Sequence, residues 1–270
     1  TVRDSAALLD VLAGPDAAAH TIVTQDKAGY SDALSRDVPK LRIAFSTQSP
    51  LGGSVDRQCV HAVRQAAKLL SDLGHEVEEA TPANIDPRAL IKAYSDIYLA
   101  HVRRDVDDVI KLDGFVHAAR NFEPATFFIA QLGKRFTAGD AVRSRQYWVD
   151  LRHIMARFHE RHDVWMTPVM AAPPARLGEL RSSRLEEVAM QIAGFSGLHR
   201  LLPLDAFYRI SGEQMQKVPF TQIANLTGQP AMSVPLAWSD AGLPIGVQFV
   251  GRVMEDGLLL QLARQLEQAS

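Results

Sequence analysis

Apolar positions along the chain switch between helical and extended spacing. Over residues 1–13, Val2, Ala6, Leu9 and Ala13 recur at intervals of four, three and four, which is one face of a helix. Thr1 and Asp4 make a near-miss of a capping box, with Asp where Glu is usual, and Gly14-Pro15 stops the helix. Residues 16–40 are polar and lack a sustained period, so they read as a long surface connection. Residues 41–45 alternate as a short strand. Cys59, Val63, Ala66, Ala67 and Leu70 then form the stripe of a helix capped by Ser54 or Asp56 and ended by Gly74. Residues 75–80 are a second strand. This strand–helix–strand unit implies parallel pairing and an α/β fold.

Long helices are predicted over 87–111, with Pro87 near the first turn, over 124–136 and over 140–162. Residues 164–167 form a short buried strand that leads into a loop at 168–174. The stretch 184–208 is ambiguous. A helix over 217–226 ends at Gly228. Strands at 231–237 and 246–251 are joined by a hairpin loop carrying Asp240, Gly242 and Pro244. A last helix over 255–269 turns Leu259, Leu262, Ala263 and Leu266 inward. The chain reads as one α/β domain over 1–270, without internal repeats or low-complexity tracts.

Composition narrows the function classes. Of 270 residues, 47% are hydrophobic, and 29 Lys and Arg oppose 31 Asp and Glu for a net charge of −2. Such a chain is globular rather than disordered, and without a basic excess it is not expected to bind nucleic acid. A single cysteine excludes an intrachain disulfide and a Cys-based zinc site and fits a reducing, cytoplasmic compartment. Residues 218–239 carry no charged side chain but hold three prolines, so they read as buried structure and not as a membrane span. The chain opens on Thr1 with no initiator Met, as a processed, trimmed or partial chain would.

Local motifs do not assemble a catalytic centre. An N-terminal Thr nucleophile needs a strand running inward from it, whereas a helix follows Thr1. Gly194-Phe195-Ser196-Gly197 fails the G-x-S-x-G pattern, because position 198 is Leu. Gly52-Gly53-Ser54 precedes a helix but lacks any phosphate-loop signature. His153, His159 and His162 lie among Arg152, Arg157, Glu160 and Arg161 and read as a solvated face, so no metal and no cofactor are expected. Cys59 belongs to an apolar stripe, where thiols are inert. Four arginines, Arg143, Arg145, Arg152 and Arg157, read as an exposed helix face.

Longer segments carry a resemblance. Pro219-Phe220-Thr221, Asn225-Leu226-Thr227-Gly228-Gln229-Pro230-Ala231, Ser233-Val234-Pro235 and the run Gly242-Leu243-Pro244-Ile245-Gly246-Val247-Gln248 resemble the C-terminal end of the amidase signature family. The opening helix resembles the one after that family's catalytic core, and Asp163-Val164-Trp165-Met166-Thr167-Pro168 its D-hydrophobic-P segment. Lys92-Ala93-Tyr94-Ser95-Asp96-Ile97-Tyr98 looks most like the subgroup that opens nylon-type oligoamides.

The resemblance implies the C-terminal part of the amidase signature fold, a mixed β-sheet flanked by helices. It implies hydrolysis of carboxylic amide C–N bonds by a Ser, a second Ser in a cis peptide bond and a Lys. Neither the Gly/Ser-rich stretch nor the Lys-Asp motif that holds those groups occurs here, so no catalytic residue is carried over. What the resemblance does imply is a substrate wall made of Tyr98, Thr167, Pro168 and Val169. The expected partners are a small-molecule amide and an N-terminal half of the same protein, with a homodimer left open. This chain alone is expected to be inactive. An amidotransferase subunit acting on glutamine and a non-catalytic binding or scaffold domain stand as alternatives.

Overall fold

The computed structural model describes residues 1–14, 18 and 29–269. Pro15 and residues 16, 17 and 19–28 of the connection expected over 16–40 lie outside the described residues. In chain order the elements begin with α1 (Val2–Leu12), α2 (Gly29–Ala33), β1 (Arg42–Phe45), α3 (Arg57–Asp72) and β2 (Glu76–Glu79). There follow α4 (Pro87–Asp113), α5 (Phe115–Asn121), α6 (Pro124–Leu132), α7 (Ala138–His159) and β3 (Val164–Pro168). The chain continues through α8 (Arg184–Ser196), α9 (Leu204–Met215), α10 (Thr221–Thr227), β4 (Ala231–Trp238), β5 (Pro244–Gly251) and α11 (Asp256–Ala269). Internal packing divides the chain into two compact units. One comprises 1–84, 152–174 and 218–270, and the other 85–151 and 175–217.

The first unit is built on a mixed five-stranded sheet of order β2-β1-β3-β5-β4. β2, β1 and β3 run parallel, and the hairpin β5–β4 joins antiparallel to β3. Period-two alternation sends Ile43, Val164, Met166, Val247 and Phe249 to one face. There they meet Cys59, Val63, Ala66 and Leu70 of α3 and Leu259, Leu262 and Leu266 of α11. These are the inward residues the helical spacing identifies. Asp56, not Ser54, caps α3 by accepting from the Gln58 amide, and Thr1 and Asp4 form both bonds of the capping box on α1.

The second unit is helical. α4 packs against α6 and α9, and α6 against α8. Val106, Ala118, Ala119, Phe127 and Ala130 form one core cluster, with Phe115 at its side, while Leu99, Leu132 and Phe207 form another. α5, absent from the sequence-based expectation, is a two-turn helix after Gly114, whose φ of 83° breaks α4. The helix expected over 124–136 ends at Leu132 and tightens into a 3₁₀ turn, Gly133–Arg135.

Candidate functional site

The buried strand β3 places the sequence-predicted residues of the first unit. Its inner positions Val164 and Met166 fill the α3–α11 core, so Trp165 and Thr167 take the opposite face. Trp165 Nε1 donates to Ser46 Oγ at 2.9 Å. Thr167 is fully buried. Its hydroxyl accepts from Gln248 Nε2 at 3.1 Å and donates to the Pro168 carbonyl at 2.9 Å. In register, Gln248 of β5 lies opposite both Thr167 of β3 and Ser233 of β4. The three therefore make a polar row across three strands, beside the point where β3 leaves the sheet.

Gly246 allows that end of the sheet to close. A Cβ there would stand 2.5 Å from Ser233 Oγ, closer than a Cβ comes to a neighbouring atom, and 3.1 Å from Val169 Cγ2, a tight contact. The Val169 amide meets the Gly246 carbonyl at 3.5 Å, and the Asp56 amide donates to the Ala171 carbonyl at 2.7 Å. Thr167, Pro168 and Val169 thus sit together at a strand end held by the β4–β5 hairpin. Gln248 and Ser233 are additional members that sequence reasoning did not single out. The alternation through β5 was the signal available, since it sets Gln248 on the face opposite Val247 and Phe249.

Tyr98 lies in the helical unit, on α4, with 48% of its surface exposed. One half-turn earlier, Asp96 is fully buried with three donors. Lys92 Nζ lies 2.6 Å from its Oδ2, Ser144 Oγ donates to Oδ2 at 2.8 Å, and Tyr208 OH donates to Oδ1 at 2.5 Å. The carboxylate ties α4 to α7 and α9. Burial, together with the neighbouring Asp96, pushes the Tyr208 phenol up to about 12, so it stays a donor. Burial pulls on Lys92, but its bonds to Asp96 and Tyr208 outweigh that and raise it, so its charge is kept.

The solvated-face reading of the histidines needs correction. His159 and His162 are buried, at 4% and 7% exposure. His159 Nδ1 donates to the His162 carbonyl at 3.0 Å, and its Nε2 accepts from Gln229 Nε2 at 2.7 Å. His162 Nε2 meets Glu78 at 2.7 Å. His159, at the end of α7, is bonded to the loop before β4, and His162, just beyond the helix, to β2, so both rings turn inward, which helix spacing alone does not reveal. Among the described residues, no group of three or more His, Cys, Asp or Glu could hold a metal ion. Ser196 ends α8 and donates to the Ile192 carbonyl at 2.7 Å, so it is a helix-end hydroxyl and not an elbow nucleophile. Cys59 is buried, and its thiol is pushed up to about 11 by burial and by Asp56.

The family model Amidase matches residues 1–196 and 207–260. The chain belongs to the amidase signature family. It is similar to the 6-aminohexanoate-cyclic-dimer hydrolase of Paenarthrobacter ureafaciens, at 30% identity over 275 residues, covering all of this chain and 52% of that protein. The acylamidase of Rhodococcus erythropolis is 26% identical over 267 residues, which cover 99% of this chain and 50% of that protein. The solved structure of 6-aminohexanoate cyclic dimer hydrolase complexed with substrate superposes with a TM-score of 0.82 at 26% identity, covering all of this chain and 53% of that one. The chain therefore spans about half the length of these relatives. Among the described residues, no helix is long and apolar enough to cross a membrane.

Proposed function

We propose that the whole protein hydrolyses carboxylic amide C–N bonds, with this chain forming scaffold and substrate wall. The Ser, cis-peptide Ser and Lys of the reaction come from outside residues 1–270. The observation that carries this reading is the Amidase family match over 1–196 and 207–260. The substrate is a small-molecule amide, and the similarity to the cyclic-dimer hydrolases favours an aminoacyl-type amide.

The chemistry supports the division of labour. Amide hydrolysis needs an activated nucleophile and donors aimed at the developing oxyanion. In this chain no Lys is followed by Asp, and the Thr167 hydroxyl is already spent on Gln248 and the Pro168 carbonyl. Thr1 caps α1. In this reading Thr167, Pro168 and Val169 provide a fixed backbone edge, and Tyr98 provides a partly exposed ring for the acyl group.

The test is turnover of simple aryl amides by the purified 270-residue chain, with Ser196→Ala and Thr1→Ala controls. No turnover is expected. Adding the family's catalytic half, in cis or as a second chain, should restore it. In that restored enzyme Tyr98→Ala should change which acyl groups are accepted, with hydrolysis of the smallest substrates retained. Robust turnover by the chain alone, abolished by either control, would overturn the proposal.

A further inference from the structure

Within the helical unit, cations gather around two polar atoms that have no partner. Arg103 of α4 pairs with Asp107 through Nη2, while its Nη1 is buried without a hydrogen bond. The 3₁₀ turn carrying Lys134 and Arg135 is pressed onto Arg103: a Cβ at Gly133 would stand 2.8 Å from Arg103 Cβ and from the Leu99 carbonyl. Arg135 Nη1 is anchored on the Leu202 carbonyl, and Lys134 Nζ stands 6.0 Å from the Phe115 ring centre. A second 3₁₀ turn, Leu198–Leu201, contributes His199 and Arg200. His199 is 3% exposed. Its Nδ1 meets the Ala193 carbonyl at 3.2 Å, and its Nε2 is buried with no partner.

These groups repel one another. Lys134 is held below its ordinary value by burial and by Arg103 and Arg200, against the pull of Asp107. His199 is held down by burial and by Lys134, Arg200 and Arg135, although the Ala193 carbonyl favours its proton. A carbonyl only accepts, so Nδ1 carries the hydrogen of the neutral ring and Nε2 presents a lone pair. In a chain of net charge −2, this is a local electrostatic imbalance: Arg103 and Lys134 share the single carboxylate of Asp107, and Lys134, Arg135 and Arg200 surround His199. Buried orphan polar atoms of this kind call for a missing partner.

We propose that Arg103, Lys134, His199 and Arg200 form a site for a small oxyanion, a phosphate or carboxylate group. The anion would take the free Arg103 Nη1 and the Lys134 ammonium as donors. Binding draws a proton onto His199 Nε2, which then becomes a donor as well. Affinity should therefore rise as pH falls through the range where His199 titrates.

The test is thermal unfolding of the chain in sodium phosphate, sodium acetate and sodium chloride at matched ionic strength. At ten times its Kd, a bound oxyanion should raise Tm by about 2–4 °C over chloride, and the arm that does so identifies phosphate or carboxylate as the group. The surface pair Lys134→Gln/Arg200→Gln should lose that rise, and in chloride it should melt no lower than the parent, because repulsion is removed. NMR titration of the His199 ring should show its pKa move upward with the effective anion. Absence of an oxyanion-specific rise in the parent, an equal rise in the double variant, or an unmoved His199 would overturn the proposal.

Discussion

At the residue scale, the Thr167–Gln248 pair shows how burial turns a side-chain preference into a constraint. Both groups are buried, and each satisfies the other across β3 and β5. Thr167→Val keeps the shape but leaves Gln248 Nε2 without its acceptor, at a cost of about 1–3 kcal/mol. Thr167→Val/Gln248→Leu should cost less than the sum of the two single changes, because it leaves neither partner orphaned. Urea unfolding of the three variants measures this, and strict additivity would show that the pair is not coupled.

His159 carries the pH dependence of the first unit. Burial, with Arg252 and His162 nearby, lowers its pKa, so the folded ring stays neutral. The unfolded ring titrates near about 6.5. Above that value neither state holds the proton and His159 costs nothing. As pH falls through it toward the lower folded value, the unfolded chain takes up a proton that the fold refuses, and stability is lost. Tm should therefore drop between pH 7.5 and 5.5, with a shallower drop in His159→Gln. Equal slopes in the two proteins would count against this assignment. His199 is shifted in the same direction and adds to the parent slope.

At the element scale, Gly228 ends α10 at a φ of 74°. An added Cβ there would have room, the nearest atom being Arg152 Nη2 at 3.8 Å. The cost of Gly228→Val is therefore backbone strain in a β-branched residue forced into the left-handed region, roughly 1–3 kcal/mol. It should lower the denaturant midpoint and leave the restored enzyme's choice of substrate unchanged. An unchanged midpoint with altered specificity would contradict this.

Element boundaries follow the same local logic where it operates alone. α3, α4 and α11 have one inward stripe each and a recognisable start or stop. The stretch 184–208 resisted assignment because α8 carries Leu185, Val188 and Ile192 on an outward face, exposed by 84%, 52% and 55%. Apolar residues on two faces blur the helical period. The Ser183–Glu186 capping box was a legible start signal. α10 begins at Thr221 rather than Lys217 because Pro219 restricts the residue before it.

On the scale of the whole molecule, β4 is the informative strand. It is the last in the sheet order and, among the described residues, pairs with β5 alone. Pro235 and the register shift between Pro235 and Ala237 blunt the edge, yet Ala231, Ser233 and Pro235 face outward and Trp238 is 73% exposed. In the isolated chain the β4 amides that do not point at β5 should exchange with solvent rapidly. They should gain protection when the catalytic half is supplied. Hydrogen exchange followed by mass spectrometry distinguishes the two states, and equal protection in both would mean that β4 is no docking edge.

The sequence by itself determined the α/β class, the parallel β1–α3–β2 unit, the buried character of β3 and the closing hairpin and helix. These depend on residue spacing, capping and glycine placement, which act over a few positions. It also carried the family resemblance, because the motifs around Asn225–Gly228 and Gly242–Gln248 are contiguous. Only the tertiary structure decided that His159 and His162 turn inward, that Gln248 completes Thr167 from 81 residues away, and that Asp96 gathers donors from α7 and α9. Those facts depend on which strands and helices become neighbours. A polar side chain looks the same in the sequence whether water or a distant partner satisfies it, and only packing removes the water.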